Sequence, residues 1–361
     1  MGSDSDRPSG GNETVRLDGS RGEGGGQILR TALSLSLLTG RPFRMTKVRA
    51  NRDKPGLRPQ HRTAIDAAAE LGNARVVGAE VGSREVAFSP AEYQPRDLSL
   101  DIGTAGSTGL VLQTLHPPLA LRTGDAVRLT LAGGTFNPKA PAYTFLDATW
   151  RGYLWAFGMP VALSMPSAGF YPRGGGRLEA WIEPANPRPW VQLERGPLHK
   201  IRGIAGVANL RDDIAARMRD RVLERLAESG LDTEVAIEIE LVRWPSPGQG
   251  AALTLVAEHD ATIPAAFVGL GERGKPSEAV ADEAVDQLLA FEAVEGAAVD
   301  PHSADQILLP LAFATGRSAF TVSEVTEHLR TNVETIGAFL ERTITVEEPE
   351  AEGQPGRVVI E

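Results

Sequence analysis

His302 is the residue whose type and position best suit chemistry in this chain. It stands near the start of an apolar-periodic run, residues 300–312, and Asp305 follows three residues later. If both residues are helical, their side chains share one face, where Asp305 would orient the ring or simply favour the positive end of the helix. A neutral imidazole nitrogen can attack a phosphorus atom and form a phosphoramidate. Without further evidence a histidine is more often structural than catalytic, so the rest of the sequence must decide.

Charged residues are distributed unevenly along the chain. The net charge is −10, which argues against non-specific binding of a nucleic-acid duplex over the whole surface. Residues 41–62, however, carry many arginine and lysine side chains opposed only by Asp53. This basic segment predicts a focused anion site, although a solvated strand and loop would have the same composition. The chain has no cysteine, which excludes thiol nucleophiles, disulfides and thiolate metal sites and fits a reducing cytosol.

Four glycine-rich segments lie near predicted helix starts or strand ends. They are residues 23–27, 103–108, 133–138 and 169–176. Backbone N–H groups of such loops suit phosphate, and a carboxylate such as Glu23 could hold a divalent ion that bridges phosphates. Each segment could also be a plain tight turn, and for residues 174–176 that interpretation is favoured. No Walker A or dinucleotide fingerprint is present.

A threefold repeat must position these segments. An apolar helix stopped by glycine and followed by a β-rich run occurs at residues 27–48, 110–131 and 306–325. Each is followed by an amphipathic helix, at residues 62–71, 142–157 and 327–340, and then by a strand and a hairpin-like return. This repetition predicts small sheets, each covered on one face by two helices.

The third copy does not follow the second directly. Residues 186–275 read as an inserted α/β domain, and the repeat domain then comprises residues 15–185 and 276–361. Residues 1–14 are rich in Gly, Ser and Asp and are predicted to be a disordered tail. No signal peptide and no apolar run of about 18 residues is visible, so no membrane association is expected.

Taken together, five stretches resemble the RNA 3′-terminal phosphate cyclase family. They are EGGGQILR (23–30), KPGL (54–57) with Gln60 and His61, GSTGLVLQ (106–113), GFYPRGGG (169–176) and HSADQILLP (302–310). The resemblance spans residues 15–346, and its fourth and fifth stretches are specific to the family.

The resemblance implies a fold, a reaction and a set of site residues. The implied fold is α/β (α+β), with three repeats of a four-stranded sheet and two helices, similar to enolpyruvyl transferases, plus an inserted smaller α/β domain. The implied enzyme is a cytoplasmic, ligase-type nucleotidyl transferase that uses ATP and Mg²⁺ or Mn²⁺. It converts an RNA 3′-phosphate to a 2′,3′-cyclic phosphodiester through a covalent histidine-AMP intermediate and an RNA-adenylate, and it releases pyrophosphate and AMP.

Site residues carry over by position. The resemblance implies His302 as the nucleophile and Glu23 as the metal-linked glutamate. It places Gln113, Pro141 and Phe145 at the adenosine site and Asp282 as an acidic nucleotide contact. A basic pocket near the phosphates comprises Arg30, Arg49, Arg52, Gln60 and His61.

The chain departs from the family pattern at three positions. Phe136 stands where the family usually has Asp, Ala142 where a second proline is often found, and Ala168 where a basic residue is common. Two other functions stay open: a non-catalytic relative that binds RNA without consuming ATP, and an enolpyruvyl-type transferase that binds a small anionic metabolite.

Overall fold

A computed structural model of the chain describes residues 13–22, 25–122, 124–231 and 234–361. Of the predicted tail, residues 1–14, all but Glu13 and Thr14 lie outside the described residues. Within the described ranges no helix is both long and apolar enough to cross a membrane.

The first repeat consists of a mixed four-stranded sheet and two helices, in the order strand, helix, strand, helix, strand, strand. Its elements are β1 (Val15–Asp18), α1 (Gln27–Thr39), β2 (Phe43–Thr46), α2 (Pro59–Gly72), β3 (Arg75–Val77) and β4 (Val86–Ser89). Glycine ends α1 as the sequence predicts, because Gly40 adopts a left-handed conformation with φ 73° and donates its N–H to the carbonyl of Ser36. Proline at the first position begins α2, where no intrahelical N–H is required. The strand order is β1-β2-β4-β3, with β1 and β2 parallel and the other pairs antiparallel.

The second repeat has the same plan, but a π-helical turn interrupts its second helix. Its elements are β5 (Leu98–Asp101), α3 (Thr108–Leu121), β6 (Val127–Gly133), α4 (Tyr143–Phe145), a π-helical turn (Leu146–Trp150), α5 (Arg151–Ala156), β7 (Val161–Ser167) and β8 (Gly176–Ile182). The order β5-β6-β8-β7 matches that of the first sheet strand for strand. Ser107 begins α3, because its side chain accepts a hydrogen bond from the backbone N–H of Leu110 at 3.2 Å.

The inserted unit follows a very short strand, β9 (Val191–Gln192). Its elements are β10 (Leu198–Ala208), α6 (Asp213–Glu228), β11 (Ala236–Arg243), β12 (Gly250–His259), β13 (Ala265–Leu270) and α7 (Ser277–Glu292). The strand order is β11-β10-β12-β13. Helices α6 and α7 pack together over this sheet and share a core that includes Met218, Val222, Leu253, Phe267 and Leu288.

The third repeat closes the chain. It contains α8 (Pro301–Ala304), α9 (Leu308–Ala312), β14 (Ser318–Val322), α10 (Glu327–Gly337), β15 (Ile344–Glu347) and β16 (Gly356–Ile360). The order β15-β16-β14-β9 reproduces the other two sheets when read from β9. The fold class predicted from the sequence, three such repeats with an inserted α/β unit, is therefore confirmed.

The insert enters the third repeat after its first strand. Strand β9 pairs in parallel with β14 through Ala319↔Val191 and Phe320↔Gln192, so it belongs to the repeat sheet although the predicted insert begins at residue 186. The predicted boundary at residues 275 and 276 separates β13 from α7, which the structure packs together. A two-residue strand carries too little alternation to be recognised from sequence. An apolar helix face does not itself specify which sheet covers it, so the packing of α7 with the inserted sheet is decided by tertiary structure.

Candidate active site

His302 lies on a short helical turn that Asp300 holds in place. The Oδ1 atom of Asp300 accepts hydrogen bonds from the backbone N–H groups of His302 and Ser303, both at 2.9 Å. Pro301 occupies the first helical position. Asp300 is fully buried, and this burial raises the pKa of its carboxyl group although the nearby His302 opposes the shift. The turn therefore fixes the backbone of His302 while its ring stays exposed.

Gln287 on α7 contacts the imidazole ring. Its Oε1 atom lies 3.1 Å from Nε2 of His302. Its Nε2 atom donates to the carbonyl oxygens of Val268 at 3.2 Å and Glu283 at 2.8 Å, which assigns the orientation of the amide. Because Oε1 can only accept, Nε2 of a neutral His302 carries the ring proton and Nδ1 carries the lone pair.

Two glutamines connect the nucleotide side of the predicted site to His302. Gln113 on α3 donates from Nε2 to Oε1 of Gln306, and Gln306 donates from Nε2 to the carbonyl oxygen of His302. Gln113, predicted from the sequence as an adenosine contact, is thus one side chain away from the backbone of His302. The structure brings these two residues of different repeats together.

The start of α1 reaches the same region. Gln27 donates from Nε2 to Oδ2 of Asp305 at 2.7 Å, and its Oε1 accepts from Nδ1 of His328 at 2.8 Å. Asp305 also accepts at its backbone oxygen from Asn332 at 2.7 Å. The Asp305 carboxylate therefore anchors α1, a role different from the predicted orientation of the His302 ring, which Gln287 contacts. Glu23, the predicted metal ligand, lies outside the described residues.

His61 joins the basic segment to the first glycine loop. Its Nδ1 accepts from the backbone N–H of Arg58 at 3.0 Å, so a neutral ring carries its proton on Nε2. A methyl group built on Gly26 would lie 2.2 Å from this Nε2 and 3.0 Å from Nη1 of Arg30, so these three residues are in contact. Burial, followed by the charges of Arg30, Arg49 and Arg58, lowers the pKa of His61 to about 3. His61 is therefore an uncharged donor within a cluster of cations.

Arg49 and its neighbours form the body of this cluster. The Nη1 atom of Arg49 donates to the carbonyl oxygens of Lys54 at 2.8 Å and Gly56 at 3.1 Å. Burial and the adjacent charges of Arg58 and Arg52 lower the pKa of Arg49. Like charges held this close favour a bound anion, because an anion relieves their mutual repulsion. We refer to Arg30, Arg49, Arg52 and Arg58 as the arginine cluster.

Gln60 and Pro141 connect the second repeat to these groups. Oε1 of Gln60 accepts from the backbone N–H of Ser107 at 3.0 Å, next to the glycine loop that begins α3. A methyl group on Gly109 would lie 3.0 Å from the carbonyl oxygen of Pro141, one helical turn before Gln113. Pro141 thus packs against α3 one helical turn before Gln113, and both residues are predicted adenosine contacts.

Phe145 and Asp282, two other residues predicted to contact the nucleotide, make contacts within the hydrophobic core and within the insert. Phe145 is 3% exposed and packs in the main hydrophobic core. Asp282 accepts hydrogen bonds from Arg221 at 2.8 Å and Arg225 at 2.7 Å, which join α7 to α6. Burial opposes ionisation of Asp282, but these two arginines outweigh it and lower its pKa. Nucleotide contacts by Phe145 and Asp282 stay predictions.

Sequence reasoning missed the glutamines that organise the site. Gln27 is the first residue of α1 and Gln306 lies in the turn between α8 and α9. Each is followed by Ile-Leu in the corresponding part of its repeat, and this shared position was a visible signal. Gln287 gave no local signal, because it is one polar side chain among several on α7.

A small cavity lies behind these side chains. Its volume is about 60 Å³, and its lining includes Arg30, Gln113, His116, Asp305 and Gln306. Among the described residues, neither ring nitrogen of the buried His116 has a hydrogen-bond partner. Throughout the described part of the chain, no group of three or more Asp, Glu, His or Cys side chains is placed to hold a metal ion.

The three departures from the family pattern come together in one apolar cluster. Phe136, Ala142 and Ala168 are all buried and pack with Phe170 and Trp244. The rings of Phe136 and Phe170 stack with centroids 4.8 Å apart, and Trp244 lies 4.7 Å from Phe136. These substitutions are therefore explained by packing between the insert and the second repeat.

Comparisons with known proteins identify the family of the chain. A family model described as RNA 3′-terminal phosphate cyclase matches residues 21–346. A protein of that name from Caldivirga maquilingensis is 41% identical over 332 residues, covering 91% of this chain and 94% of the relative. Proteins of the same name from Ralstonia nicotianae and Pseudomonas fluorescens are 43% and 44% identical over 337 and 328 residues, covering 92% and 91% of this chain and 93% of each relative.

Proposed function

The chain belongs to the RNA 3′-terminal phosphate cyclase family, and from this membership we propose that it uses ATP to convert an RNA 3′-phosphate to a 2′,3′-cyclic phosphodiester through adenylylated His302. The observation that supports this most is the convergence on His302, whose imidazole is exposed, of groups from the second repeat, the third repeat and the insert. Asp300 and Gln306 hold its backbone, Gln287 holds its ring, and Gln113 lies one side chain away.

The proposed reaction has three balanced steps. A ring nitrogen of His302 attacks the α-phosphorus of ATP, so that an N–P bond forms and the P–O bond to the β-phosphate breaks with release of pyrophosphate. An oxygen of the RNA 3′-phosphate then attacks the same phosphorus and displaces the histidine, which gives RNA-adenylate. Finally the adjacent 2′-hydroxyl attacks the 3′-phosphorus, AMP leaves, and the hydroxyl proton passes to water.

The tautomer of His302 matters for the first step. The attacking nitrogen must have its lone pair free. In the described arrangement that atom is Nδ1, and attack through Nε2 requires Gln287 to release the ring. Gln287 therefore acts as a positioning residue whose hydrogen bond selects the nucleophilic atom.

The arginine cluster and His61 are proposed to bind the phosphates of ATP. Arginine supplies several donors in a planar fork that fits phosphate oxygens, and it stabilises the charge that develops on the leaving pyrophosphate. Arg30, Gln60 and His61 place donors next to Gly26 and Ser107, where two glycine loops begin helices. A divalent cation, Mg²⁺ or Mn²⁺, would neutralise phosphate charge further. We propose that Glu23 and the phosphates of ATP would hold it. The proposed location is the cytosol, in keeping with the lack of cysteine.

Self-adenylylation tests this proposal without RNA. The protein is mixed with ATP labelled on the α-phosphate and with magnesium or manganese, and the protein-bound label is measured before and after acid treatment. We expect an acid-labile adduct in the wild type and none in His302→Ala. His199→Ala is the matched control, because His199 is also an exposed histidine but lies in the insert beside Glu258 and Asp260.

The outcomes separate the alternatives. Equal labelling of wild type and His302→Ala would refute the assigned nucleophile. A protein that binds RNA but never consumes ATP would instead be a non-catalytic relative. Binding of a small anionic metabolite with no response to RNA would favour an enolpyruvyl-type transferase.

A further inference from the structure

The loop between β7 and β8 exposes an aromatic ring, that of Tyr171, and a cation, Arg173, two residues apart in the chain. Within residues 169–176, Phe170 is buried against Phe136, whereas the ring of Tyr171 is 69% exposed. Arg173 is also exposed, and no oxygen atom in the described parts of the chain pairs with its guanidinium. Neither side chain is required by the core, and neither takes part in the site described above.

This loop is rigid at its base. The backbone N–H of Gly169 donates to Oγ1 of Thr135 at 2.9 Å, and the N–H of Gly174 donates to the carbonyl oxygen of Phe170 at 2.7 Å. The carbonyl oxygen of Gly169 in turn accepts from the N–H groups of Thr135 at 2.9 Å and Phe136 at 3.0 Å. An aromatic ring carried on a loop that is held in this way loses little conformational entropy when a ligand stacks on the ring.

Residues of the insert pack against the side chain of Arg173. A methyl group on Gly248 would lie 3.3 Å from Cβ and 3.6 Å from Cδ of Arg173, so the aliphatic stem of Arg173 lies along this glycine. A methyl group on Gly175 would lie 2.8 Å from Pro247. The loop is therefore seated between the second repeat and the insert, with only the guanidinium left for a ligand.

Backbone contacts connect this loop to the phosphate side of the site. A methyl group on Gly174 would lie 2.7 Å from Cα of Ala105. Ala105 is two residues before Ser107, whose N–H donates to Gln60 beside His61 and the arginine cluster. Residues 105–107 therefore join the loop that carries Tyr171 to the phosphate side of the site, where an RNA 3′-phosphate must lie to reach adenylylated His302.

We propose that Tyr171 and Arg173 bind single-stranded RNA immediately 5′ of its terminal nucleotide, with a base stacked on Tyr171 and a phosphodiester paired with Arg173. The inference rests on the proposed function in taking RNA as the substrate. An aromatic face beside an unpaired guanidinium suits a single strand, because every base has a π face and every linkage a negative charge.

Other exposed aromatic residues lack this combination. Trp155 donates from Nε1 to the carbonyl oxygen of Val161 and so is tied to the start of β7. Trp181 projects from β8 opposite Arg128, which pairs with Glu179. Trp181, 49% exposed, therefore serves as a matched control for an exposed ring without a free cation beside it.

The test measures binding of fluorescent RNA oligonucleotides that end in a 3′-phosphate, by anisotropy and without ATP. We expect Tyr171→Ala to weaken binding about 5- to 100-fold, the effect of losing one stacked base. Tyr171→Phe and Trp181→Ala should bind as the wild type does. Arg173→Ala should weaken binding and reduce by about 0.7 the slope of log affinity against log salt, whereas Arg173→Lys keeps the slope.

Two further measurements separate this inference from the proposed function. Self-adenylylation with ATP alone should be unchanged in Tyr171→Ala and Arg173→Ala. Their defect in RNA binding should be absent with a nucleoside 3′-phosphate, which has no nucleotide 5′ of its terminal one.

If the wild type cyclises RNA and both variants bind every oligonucleotide normally, Tyr171 and Arg173 do not form an RNA-binding surface. The proposed function then stands without this surface. If the wild type binds RNA through Tyr171 yet forms no cyclic phosphate, the proposed function fails and the surface stands. A wild type that binds no RNA, or captures a protein instead, overturns the surface.

Discussion

Nε2 of His302 lies 3.1 Å from Oε1 of Gln287, and this contact joins the third repeat to the insert at the imidazole ring proposed to react. Gln287 belongs to α7, which packs with α6 over the inserted sheet. The insert therefore reaches the ring of His302 directly, in addition to occupying space between β9 and α8.

Removing this contact tests whether Gln287 positions the ring. We expect Gln287→Leu to slow self-adenylylation about ten- to a hundredfold, because the ring loses the acceptor that holds it in one orientation. Gln287→Glu should move the acid limb of the pH–rate profile to higher pH, since a carboxylate favours the charged imidazolium. Gln354→Leu, an exposed glutamine in the turn before β16, is the control and should leave the profile unchanged. Identical profiles for all four proteins would argue against a positioning role.

A methyl group at Gly26 should disrupt the contact between the first glycine loop and His61. The added carbon would lie 2.2 Å from Nε2 of His61, so the ring must shift within the arginine cluster. We expect Gly26→Ala to lower the rate of self-adenylylation at least about tenfold with the fold retained. Gly337→Ala has nothing within 4 Å of the new carbon, and as a helical glycine it should be neutral or stabilising by up to about 1 kcal/mol. Normal activity of Gly26→Ala would remove His61 from the proposed phosphate site.

Two buried histidines predict a loss of stability in acid. Burial lowers the pKa of both His61 and His116 to about 3, with the arginine charges adding to the effect at His61. The unfolded chain, in which a histidine has a pKa of about 6.5, binds more protons between those values. The free energy of unfolding should therefore be intact above pH 6.5 and should fall as the pH falls towards 3, by at most about 1.4 kcal/mol per pH unit for each histidine.

His116→Leu isolates one of these contributions. The ring packs edge-on against Trp150 at 5.2 Å, and its nitrogens have no partner among the described residues, so leucine should be tolerated at neutral pH. Urea denaturation at pH 7, 5.5 and 4.5 should show a shallower pH dependence in this variant. Slopes equal to those of the wild type would mean that His116 is protonated alike in both states.

The cluster around Phe136 should reject the acidic residue that the family resemblance associates with this position. Phe136→Asp would place a carboxylate between the rings of Phe170 and Trp244 and should lower the free energy of unfolding by more than about 3 kcal/mol. Phe136→Leu should cost about 1–2 kcal/mol. Val77→Asp, at an exposed site on β3, should stay within about 0.5 kcal/mol. Denaturant unfolding measures all three, and a mild effect of Phe136→Asp would show that water or a cation reaches the cluster.

Some features of this protein follow from the sequence because their causes are local. Gly40 ends α1 as predicted, because its own backbone freedom allows the left-handed conformation there. Helix α2 begins at Pro59, three residues before the predicted start at residue 62, at a position where proline is tolerated. The repeated helix and strand periodicities predicted three similar sheets. The position of His302 on a turn rich in polar caps was likewise readable from residues 300–305.

Other features were decided only by tertiary packing. The contact of Gln287 with His302, the assignment of β9 to the third sheet and the ion pairs of Asp282 join residues that are distant in sequence. A glutamine or an aspartate on an amphipathic helix has the same local propensity whichever partner it meets. Its role depends on which surface the helix packs against, and that is settled by the burial of apolar faces across the whole chain.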